Sequence, residues 1–229
     1  MNEPLPNQDN ASAFARLAIE LHSAGGVDET VQVVVDFALQ ALGCDYAGVT
    51  LTRPRSRADV VAVTDPVVDH VLRWQLETCD GPMQHALATS TAVYVTDAAT
   101  DDRWPLWSQL VAGLAIGSVM HVPLVAKGVV IGVLSLYHDK PNAFSDDDEA
   151  IAYILARHAT VAIATARHEA QLAQAMDARK LVGQAQGILM ERHDLTSDAA
   201  FNVLRRYSQD TNTKLHDVAE QVIASLRKG

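Results

Sequence analysis

Two adjacent arginines, Arg205 and Arg206, are the residues whose type and position most clearly suggest a chemical task. They lie in a segment whose apolar residues recur at helical spacing, and consecutive residues on an α-helix point about 100° apart. At most one of the two side chains can therefore be buried. The pair predicts either contacts with phosphate groups or a solvated, salt-bridged helix face. The neighbouring Tyr207 predicts either stacking on an unpaired base or packing in a core.

Residue sets that mark a catalytic or metal centre do not occur in the sequence. It has no glycine-rich phosphate loop, no Gly-x-Ser-x-Gly turn and no cluster of Cys and His at zinc-binding spacing. His158 and His168 lie ten residues apart on a predicted helix, without a carboxylate or cysteine to complete a site. We therefore expect no catalytic residues and no bound metal, and we expect that the chain is not an enzyme.

Composition narrows the class of protein further. Hydrophobic residues make up 48% of the 229 residues, which allows a sizeable core. The two cysteines, Cys44 and Cys79, are too few for a disulfide framework. No segment is apolar over the roughly 18 residues that a membrane span requires, and the first ten residues lack the features of a signal peptide. These features predict a cytoplasmic protein without a membrane partner.

Charge is distributed unevenly along the chain. The whole chain carries a net charge of −10. Residues 174–229 hold eight Lys and Arg against seven Asp and Glu, a net charge of +1, so the remainder carries −11. This difference indicates two domains with different partners.

The elements that must position these residues follow from periodicity and turn signals. Helices are expected over 11–24, 28–42, 67–77 and 83–89. Strands are expected over 46–51, 59–63, 92–96, 118–125 and 129–137, with an exposed loop at 53–57 and a long connection at 97–116. The order predicts an α+β domain with an antiparallel sheet and flanking helices over residues 11–168, preceded by a flexible tail at 1–10.

A long helix followed by two shorter ones is expected in the C-terminal part. Ser145 is a predicted N-cap with acidic residues after it, and neither proline nor glycine interrupts the sequence between it and Gly183. One helix can therefore run over about residues 146–192. Thr196 and Thr213 precede the two further amphipathic helices, which together with the end of the long one predict an all-α three-helix bundle.

Residues 11–168 resemble a GAF domain. A glycine–proline step, a short helix and a strand that ends in aspartate occur in order within Cys79–Ser90 and Val93–Asp97. Residues 117–138 resemble the last GAF hairpin, and Phe144 with Asp148-Glu149 resembles the start of the final GAF helix. The GAF members that bind cyclic nucleotides have an Asn-Lys pair where this sequence has Asp139-Lys140.

The GAF resemblance implies a small-molecule pocket between the sheet and the 97–116 connection. Four residues are its candidate lining: Cys79, Trp104, Trp107 and His121. The alternative interpretation is that the tryptophans only anchor a loop, and that His121 and the cysteines are ordinary core residues. The sequence does not identify a ligand, and it requires no cofactor.

Residues 174–229 resemble an ANTAR domain, a family of RNA-binding transcription antiterminators. The resemblance rests on four stretches at matching spacing: 181–192, 198–201, 204–209 and 214–219. It implies binding to RNA hairpins near transcription terminators. The expected RNA-binding residues are Arg179, Lys180, Gln184, Arg192, Arg205, Arg206, Ser208, Gln209, Asn212 and Lys214. Gln186 stands where many members carry lysine, and Gly183 and Gly187 suggest a small-residue notch for close packing.

A coiled-coil-like connector is expected over residues 145–176. Residues at heptad spacing form its seam: Ile151, Leu155, His158, Ala162, Thr165, Glu169, Leu172 and Met176. The seam predicts a parallel homodimer, in which two RNA-binding modules engage two hairpins. The alternative is that residues 151–166 pack on the sheet of their own domain, and both can hold for different faces of the helix.

Together these features predict a signal-responsive regulator that binds hairpin RNA and acts by antitermination, gated by a GAF sensor through the continuous helix. Two alternatives remain open. A DNA-binding transcription factor is one, because three-helix modules also enter the major groove, although no strongly basic recognition helix is visible. The other is a GAF-type enzyme that uses the thiol of Cys44 or Cys79.

Overall fold

The computed structural model describes residues 7–53 and 58–226. These residues divide into two compact units, one ending at Arg167 and the other beginning at His168. Of the predicted flexible tail, residues 1–6 lie outside the described residues, whereas residues 7–10 belong to the first helix. Most of the predicted loop at 53–57 also lies outside them. No helix in the described part of the chain is both long and apolar enough to cross a membrane.

The first unit is an α+β domain with one five-stranded antiparallel sheet, as predicted. Its helices are α1 (Asn7–Ser23), α2 (Val27–Leu42), α3 (Pro66–Thr78), α4 (Pro82–Thr89), α5 (Pro105–Val111) and the start of α6 (Asp146–His193). Its strands are β1 (Tyr46–Leu51), β2 (Asp59–Val63), β3 (Val93–Val95), β4 (Ser118–Ala126) and β5 (Val129–His138). The strand order is β2-β1-β5-β4-β3.

Helix α5 corrects the expectation that 97–116 is a connection without regular structure. Pro105 begins this helix, because its fixed φ suits the first helical position. Trp107 and Val111 lie one turn apart and are both buried. The helix has seven residues, which is too short for periodicity to reveal in the sequence.

The sheet separates two layers of core because successive side chains on a strand point to opposite faces. Leu134 and Leu136 of β5 pack with α1, α2 and α6 on what we call the α6 face. Val133 and Tyr137 pack with α3, α4 and α5 on the α3 face. Helix α3 packs closely on β1 at Gly48, where an added Cβ would lie 2.9 Å from Leu72 Cδ1.

Helix α6 starts at a capping box, as Ser145 predicted. The Ser145 backbone N–H donates to Asp148 Oδ2 at 2.9 Å, and the Asp148 N–H donates to Ser145 Oγ at 3.3 Å. At the end of the same unit, Arg167 Nη2 donates to the Thr52 carbonyl at 2.8 Å. The capping box thus fixes the start of α6, and the Arg167 hydrogen bond ties the helix to the residue that follows β1.

The predicted seam on α6 needs correction in its first half. Leu155 is fully buried in the core of the α6 face, and Ile151 and Ala162 are partly buried there. The alternative interpretation, packing on the sheet of the same domain, accounts for these positions. Leu172 and Met176 are exposed, at 52% and 69%. Heptad spacing alone does not show whether a helix packs on its own domain or on another chain.

The second unit consists of the rest of α6, α7 (Ser197–Asp210) and α8 (Leu215–Leu226). Leu204 of α7 and Val218 of α8 pack against Ala185 of α6 in a small core. Thr196 caps α7 as predicted, since its side chain accepts a hydrogen bond from the Ala199 N–H at 3.3 Å. The predicted three-helix arrangement is therefore present.

Gly183 and Gly187 do not form a packing notch. Each lies two residues from Ala185, so each points roughly 200° away from the core residue on the same helix. Both are exposed, and a Cβ added at either position would meet no atom within 4 Å. The notch prediction was therefore wrong, because neither glycine is in close contact with another helix.

Candidate ligand and nucleic-acid sites

A buried polar patch lies in the middle of the α3 face. His121 of β4 is opposite Ser135 of β5 in the strand register, and its Nδ1 lies 2.9 Å from Ser135 Oγ. The ring of Tyr137 meets the imidazole edge-to-face, with centroids 5.7 Å apart. Trp107 belongs to the same side of the sheet and is also fully buried.

Several polar atoms of this face lack a partner among the described residues. These atoms are Trp107 Nε1, His121 Nε2, the Tyr137 hydroxyl and Thr50 Oγ1. Buried polar groups are normally hydrogen-bonded, because an unmade bond costs roughly 1–3 kcal/mol. Four such atoms lie on this one face, and each has unused hydrogen-bonding capacity.

The patch is uncharged near neutral pH. Burial lowers the pKa of His121 from 6.5 to about 3, so the imidazole is neutral. Burial also raises the pKa of Tyr137 above its ordinary value, which keeps the phenol protonated. The indole and the phenol can donate hydrogen bonds, and His121 Nε2 donates or accepts according to its tautomer.

Trp104 and Cys79 lie further out: Trp104 is partly buried at the edge of the same core, and Cys79 is exposed. The Trp104 ring meets His85 edge-to-face at 5.8 Å, and the Arg103 guanidinium carbon lies 4.5 Å from the ring centroid. Grooves of about 500 and 440 Å³ flank this aromatic pair, and Cys79 lines the second. The four residues predicted to line one pocket therefore separate into two pairs, because α5 carries Trp107 inward while Trp104 precedes the helix.

The two thiols differ in their surroundings. Cys44 is buried, donates weakly to the Ala38 carbonyl at 3.6 Å, and has a pKa raised to about 12 by desolvation. Cys79 is exposed and ends α3 with a left-handed φ of 55°. The Cys44 thiol is therefore protonated and unreactive at neutral pH.

One cluster of titratable residues was missed by the sequence analysis. His138 Nδ1 lies 3.1 Å from Asp45 Oδ2 and 2.8 Å from Asp139 Oδ1. The Asp139 N–H also donates to Asp45 Oδ2 at 2.7 Å. The cluster depends on β1 pairing with β5, which residue spacing does not reveal. It fastens the end of β5 to the segment before β1.

In the second unit, the predicted arginine pair is on the outside of α7. Leu204 faces the core, and Arg205 and Arg206 are exposed. Arg206 Nε lies 3.7 Å from Asp210 Oδ2, with both side chains mostly in solvent, so this pair is weak. By helix geometry, Gln209 shares the outward face with both arginines.

Two other predicted residues of this region have structural roles. Ser208 Oγ donates to the Thr213 carbonyl at 2.6 Å, and Asn212 has a left-handed φ of 49° in the turn before α8. Lys214, two residues after Asn212, is exposed. Tyr207 is 51% exposed, so the core-packing interpretation was wrong for it.

The predicted residues on α6 are all exposed: Arg179, Lys180, Gln184 and Arg192. Lys180 and Gln184 share one stripe, being four residues apart, whereas Arg179 lies on the side of Gln186. Gln186 Nε2 donates to Ser197 Oγ at 2.7 Å and to the Ser197 carbonyl at 2.8 Å. The side chain that replaces the usual lysine therefore joins α6 to the start of α7.

Two family models match the sequence. A GAF domain model matches residues 24–164 and an ANTAR domain model matches residues 170–223. The transcriptional regulatory protein PdtaR from two strains of Mycobacterium tuberculosis is 33% identical over 90 residues, which are 39% of this chain and 43% of PdtaR. The chain thus spans less than half the length of the curated relatives it matches.

Solved structures with a similar fold include GAF domains and an enzyme. The GAF domain of an Acinetobacter phosphoenolpyruvate-protein phosphotransferase is 18% identical, with a TM-score of 0.57, covering 75% of this chain and 99% of that chain. The free methionine-R-sulfoxide reductase from Neisseria meningitidis is 15% identical, with a TM-score of 0.57, covering 74% and 96%. At these identities the likeness concerns the fold alone.

The buried His121 predicts an acid-sensitive stability. Its pKa is depressed in the folded state, so between pH 6.5 and about 3 the unfolded chain binds a proton that the folded chain does not. The free energy of unfolding should therefore fall with decreasing pH below 6.5, by up to about 1.4 kcal/mol per pH unit from this group. His121→Gln should flatten the fall, measured by urea unfolding between pH 7 and 5. His168→Gln, at an exposed position, is the control, and an unchanged slope in His121→Gln contradicts the assignment.

Proposed function

The chain belongs to the GAF domain family and carries an ANTAR domain after its GAF domain. We propose that it is a signal-responsive transcription regulator. It binds hairpin RNA through the ANTAR domain and acts by antitermination, under the control of the GAF domain. The GAF domain extends over residues 11–168 and the ANTAR domain over 174–229. The observation that carries the proposal is the exposed arginine pair on α7 within a domain of the ANTAR family.

RNA is favoured over duplex DNA by the charges of α7. A helix that reads the major groove usually meets phosphates along much of its length. Helix α7 instead has Asp198 in its first turn and Asp210 at its end, with Arg205 and Arg206 between them. Two cations beside a neutral Gln209 suit a local contact with a hairpin, and the similarity to a transcriptional regulatory protein fits this role.

A sensor role is favoured over catalysis for the GAF domain. Cys44 is buried with its pKa raised to about 12, which leaves Cys79 as the one thiol of this chain that solvent reaches. A thiol enzyme that resolves its product through a second cysteine has no such partner here. The likeness to a methionine sulfoxide reductase therefore carries over as fold and not as activity.

The ligand of the sensor is a small, uncharged, polar molecule held on the α3 face. Trp107 and Tyr137 present an indole N–H and a phenol O–H, which suit a carbonyl or similar acceptor. The neutral His121 adds a second polar contact. A charged guest is disfavoured, because the patch offers no counter-charge.

Control passes along α6, which is one continuous helix of 48 residues. Its Leu155 and Ile163 belong to the core of the GAF domain, and its Ala185 belongs to the core of the ANTAR domain. A ligand that favours one packing of α6 on the sheet therefore biases the RNA-binding domain, provided that its affinity differs between the two packings.

The protein acts as a cytoplasmic homodimer, joined along an exposed stripe of α6. The stripe shares His158, Thr165 and Leu172 with the seam predicted by the sequence. At the alternate positions it has Ile154, Val161 and His168 in place of Leu155, Ala162 and Glu169, so heptad spacing is kept. Val161 is 67% exposed and Leu172 is 52% exposed, which is unusual for apolar residues on a helix without a partner. Two ANTAR domains in one dimer bind two hairpins with avidity.

RNA binding is tested with Arg205→Ala/Arg206→Ala in the full chain. Loss of two phosphate contacts should weaken binding to a selected stem–loop roughly tenfold or more, and should lower the slope of log affinity against log salt by about 1.4–1.8. Helicity should be unchanged, because Ala and Arg are both good helix formers. Arg205→Lys/Arg206→Lys keeps the charges and should keep the slope. Unaltered affinity in the alanine variant contradicts the assignment.

Dimerisation is tested with Val161→Glu/Leu172→Glu. Four carboxylates brought into the stripe should yield monomers by light scattering, while the unfolding transition persists because neither side chain is in the core. Ile19→Glu/Val129→Glu changes two equally exposed apolar residues away from α6 and should leave the dimer intact. If the parent protein is a monomer by light scattering, binding of two hairpins by one dimer is excluded.

Coupling along α6 is tested by insertions beside His168. Two inserted residues rotate the following helix by about 200°, whereas seven preserve the heptad phase. Trp107→Phe perturbs the ligand patch and should change RNA affinity within the roughly 5- to 150-fold range of typical couplings. That effect should survive the seven-residue insertion and vanish with the two-residue insertion. If it is the same in both, the domains are only tethered.

A further inference from the structure

A groove of about 430 Å³ opens on the ANTAR domain where its three helices meet. We call it the Phe201 groove. Its walls are mainly apolar and come from Gly183 of α6, Phe201 of α7 and Leu215 of α8. Arg179 and His216 also line it and supply nitrogen donors. The groove is distinct from the arginine pair that carries the proposed function.

The groove is open because Gly183 has no side chain and Phe201 does not pack into the core of the domain. Gly183 has no side chain, and a Cβ built there meets no atom within 4 Å. Phe201 is only partly buried, and among the described residues it is not one of the side chains packed around Ala185 and Leu204. The hydrogen bonds from Gln186 to Ser197 fix the wall between α6 and α7. The Phe201 groove is therefore a preformed apolar site with an aromatic ring in its lining.

The charges around the groove indicate the occupant. Phe201 and Arg205 are four residues apart on α7, so their side chains point within about 40° of each other. Arg179 provides a second cation on the α6 side, and Lys214 is exposed beside Leu215. An aromatic ring bordered by cations fits a planar base attached to a phosphate backbone, since bases stack on aromatic side chains in single-stranded recognition.

We propose that the Phe201 groove receives one unpaired base from the loop of the bound RNA hairpin. The face of the base stacks on Phe201 over Gly183, and the adjoining phosphates face Arg179 and Arg205. This inference rests on the proposed RNA-binding function and adds to it: the arginines supply affinity for any hairpin, and the groove distinguishes hairpins by their loops.

The test compares two glycines of the same helix in the full chain. Gly183→Leu fills the groove, whereas Gly187→Leu places the same side chain one turn further on, in open space outside the groove. Both changes should favour the helix, because glycine is a poor helix former. The probes are a stem–loop RNA selected from a randomised-loop pool by the parent protein, and the same stem with an abasic loop.

Gly183→Leu should weaken binding of the intact stem–loop roughly 5- to 150-fold, the range expected when one stacked base is lost. Gly187→Leu should bind like the parent. The abasic loop should bind the parent as weakly as the intact loop binds Gly183→Leu. Phe201→Leu keeps an apolar side chain but removes the ring, and it should show a loss of the same kind.

Equal binding of intact and abasic loops by the parent overturns the groove assignment and leaves RNA binding in place. If the pool yields no bound RNA, the proposed function fails and the groove assignment fails with it. If light scattering shows a different mass for Gly183→Leu than for the parent and Gly187→Leu, the groove is a contact between two copies of the chain. That outcome also overturns the inference.

Discussion

The packing of α6 against one face of the sheet is the interaction on which the rest of the structure depends. Leu155 and Ile163 are fully buried there, between the capping box at Ser145 and the hydrogen bond from Arg167 to Thr52. The same helix continues and supplies Ala185 to the second core. One continuous helix thus contributes side chains to the cores of both domains.

The alternation of β4 and β5 gives the two faces of the sheet different tasks. The α6 face is a close-packed apolar layer, in which Met120 and Leu134 are fully buried. The α3 face includes His121 and Ser135 among its apolar residues, together with polar atoms that have no partner within the described residues. One face therefore holds the helix that continues into the second domain, and the other holds buried polar groups with unused hydrogen-bonding capacity.

Much of this architecture could be predicted from sequence, because it depends on local signals. The strands 46–51 and 59–63, the cap at Ser145 and the length of α6 all follow from periodicity and turn residues. The GAF and ANTAR resemblances are confirmed by the family models. The adjacency of Arg205 and Arg206 predicted that at least one of them is exposed, and both are.

Features that depend on tertiary contacts could not be predicted. Heptad spacing did not reveal that Leu155 packs on its own sheet. The residues predicted to line one pocket included both Trp104 and Trp107, but the short helix α5 places these two side chains in different environments. The cluster of Asp45 and His138 needs the pairing of β1 with β5. In each case the outcome depended on which helix or strand packs against the residue. Residue types and spacing in one sequence do not give this information.

The small core of the ANTAR domain has a consequence for its dynamics. Among the described side chains of that unit, the fully buried apolar ones are Ala185, Ala200, Leu204, Val218 and Ala219, three of which are alanines. So little buried surface gives local opening a low free energy, whereas the two-layered GAF core resists it. Amide hydrogens of α7 and α8 will therefore exchange with solvent long before those of β4 and β5. The helices of the second unit therefore open to solvent at a smaller cost in free energy than the sheet of the first unit.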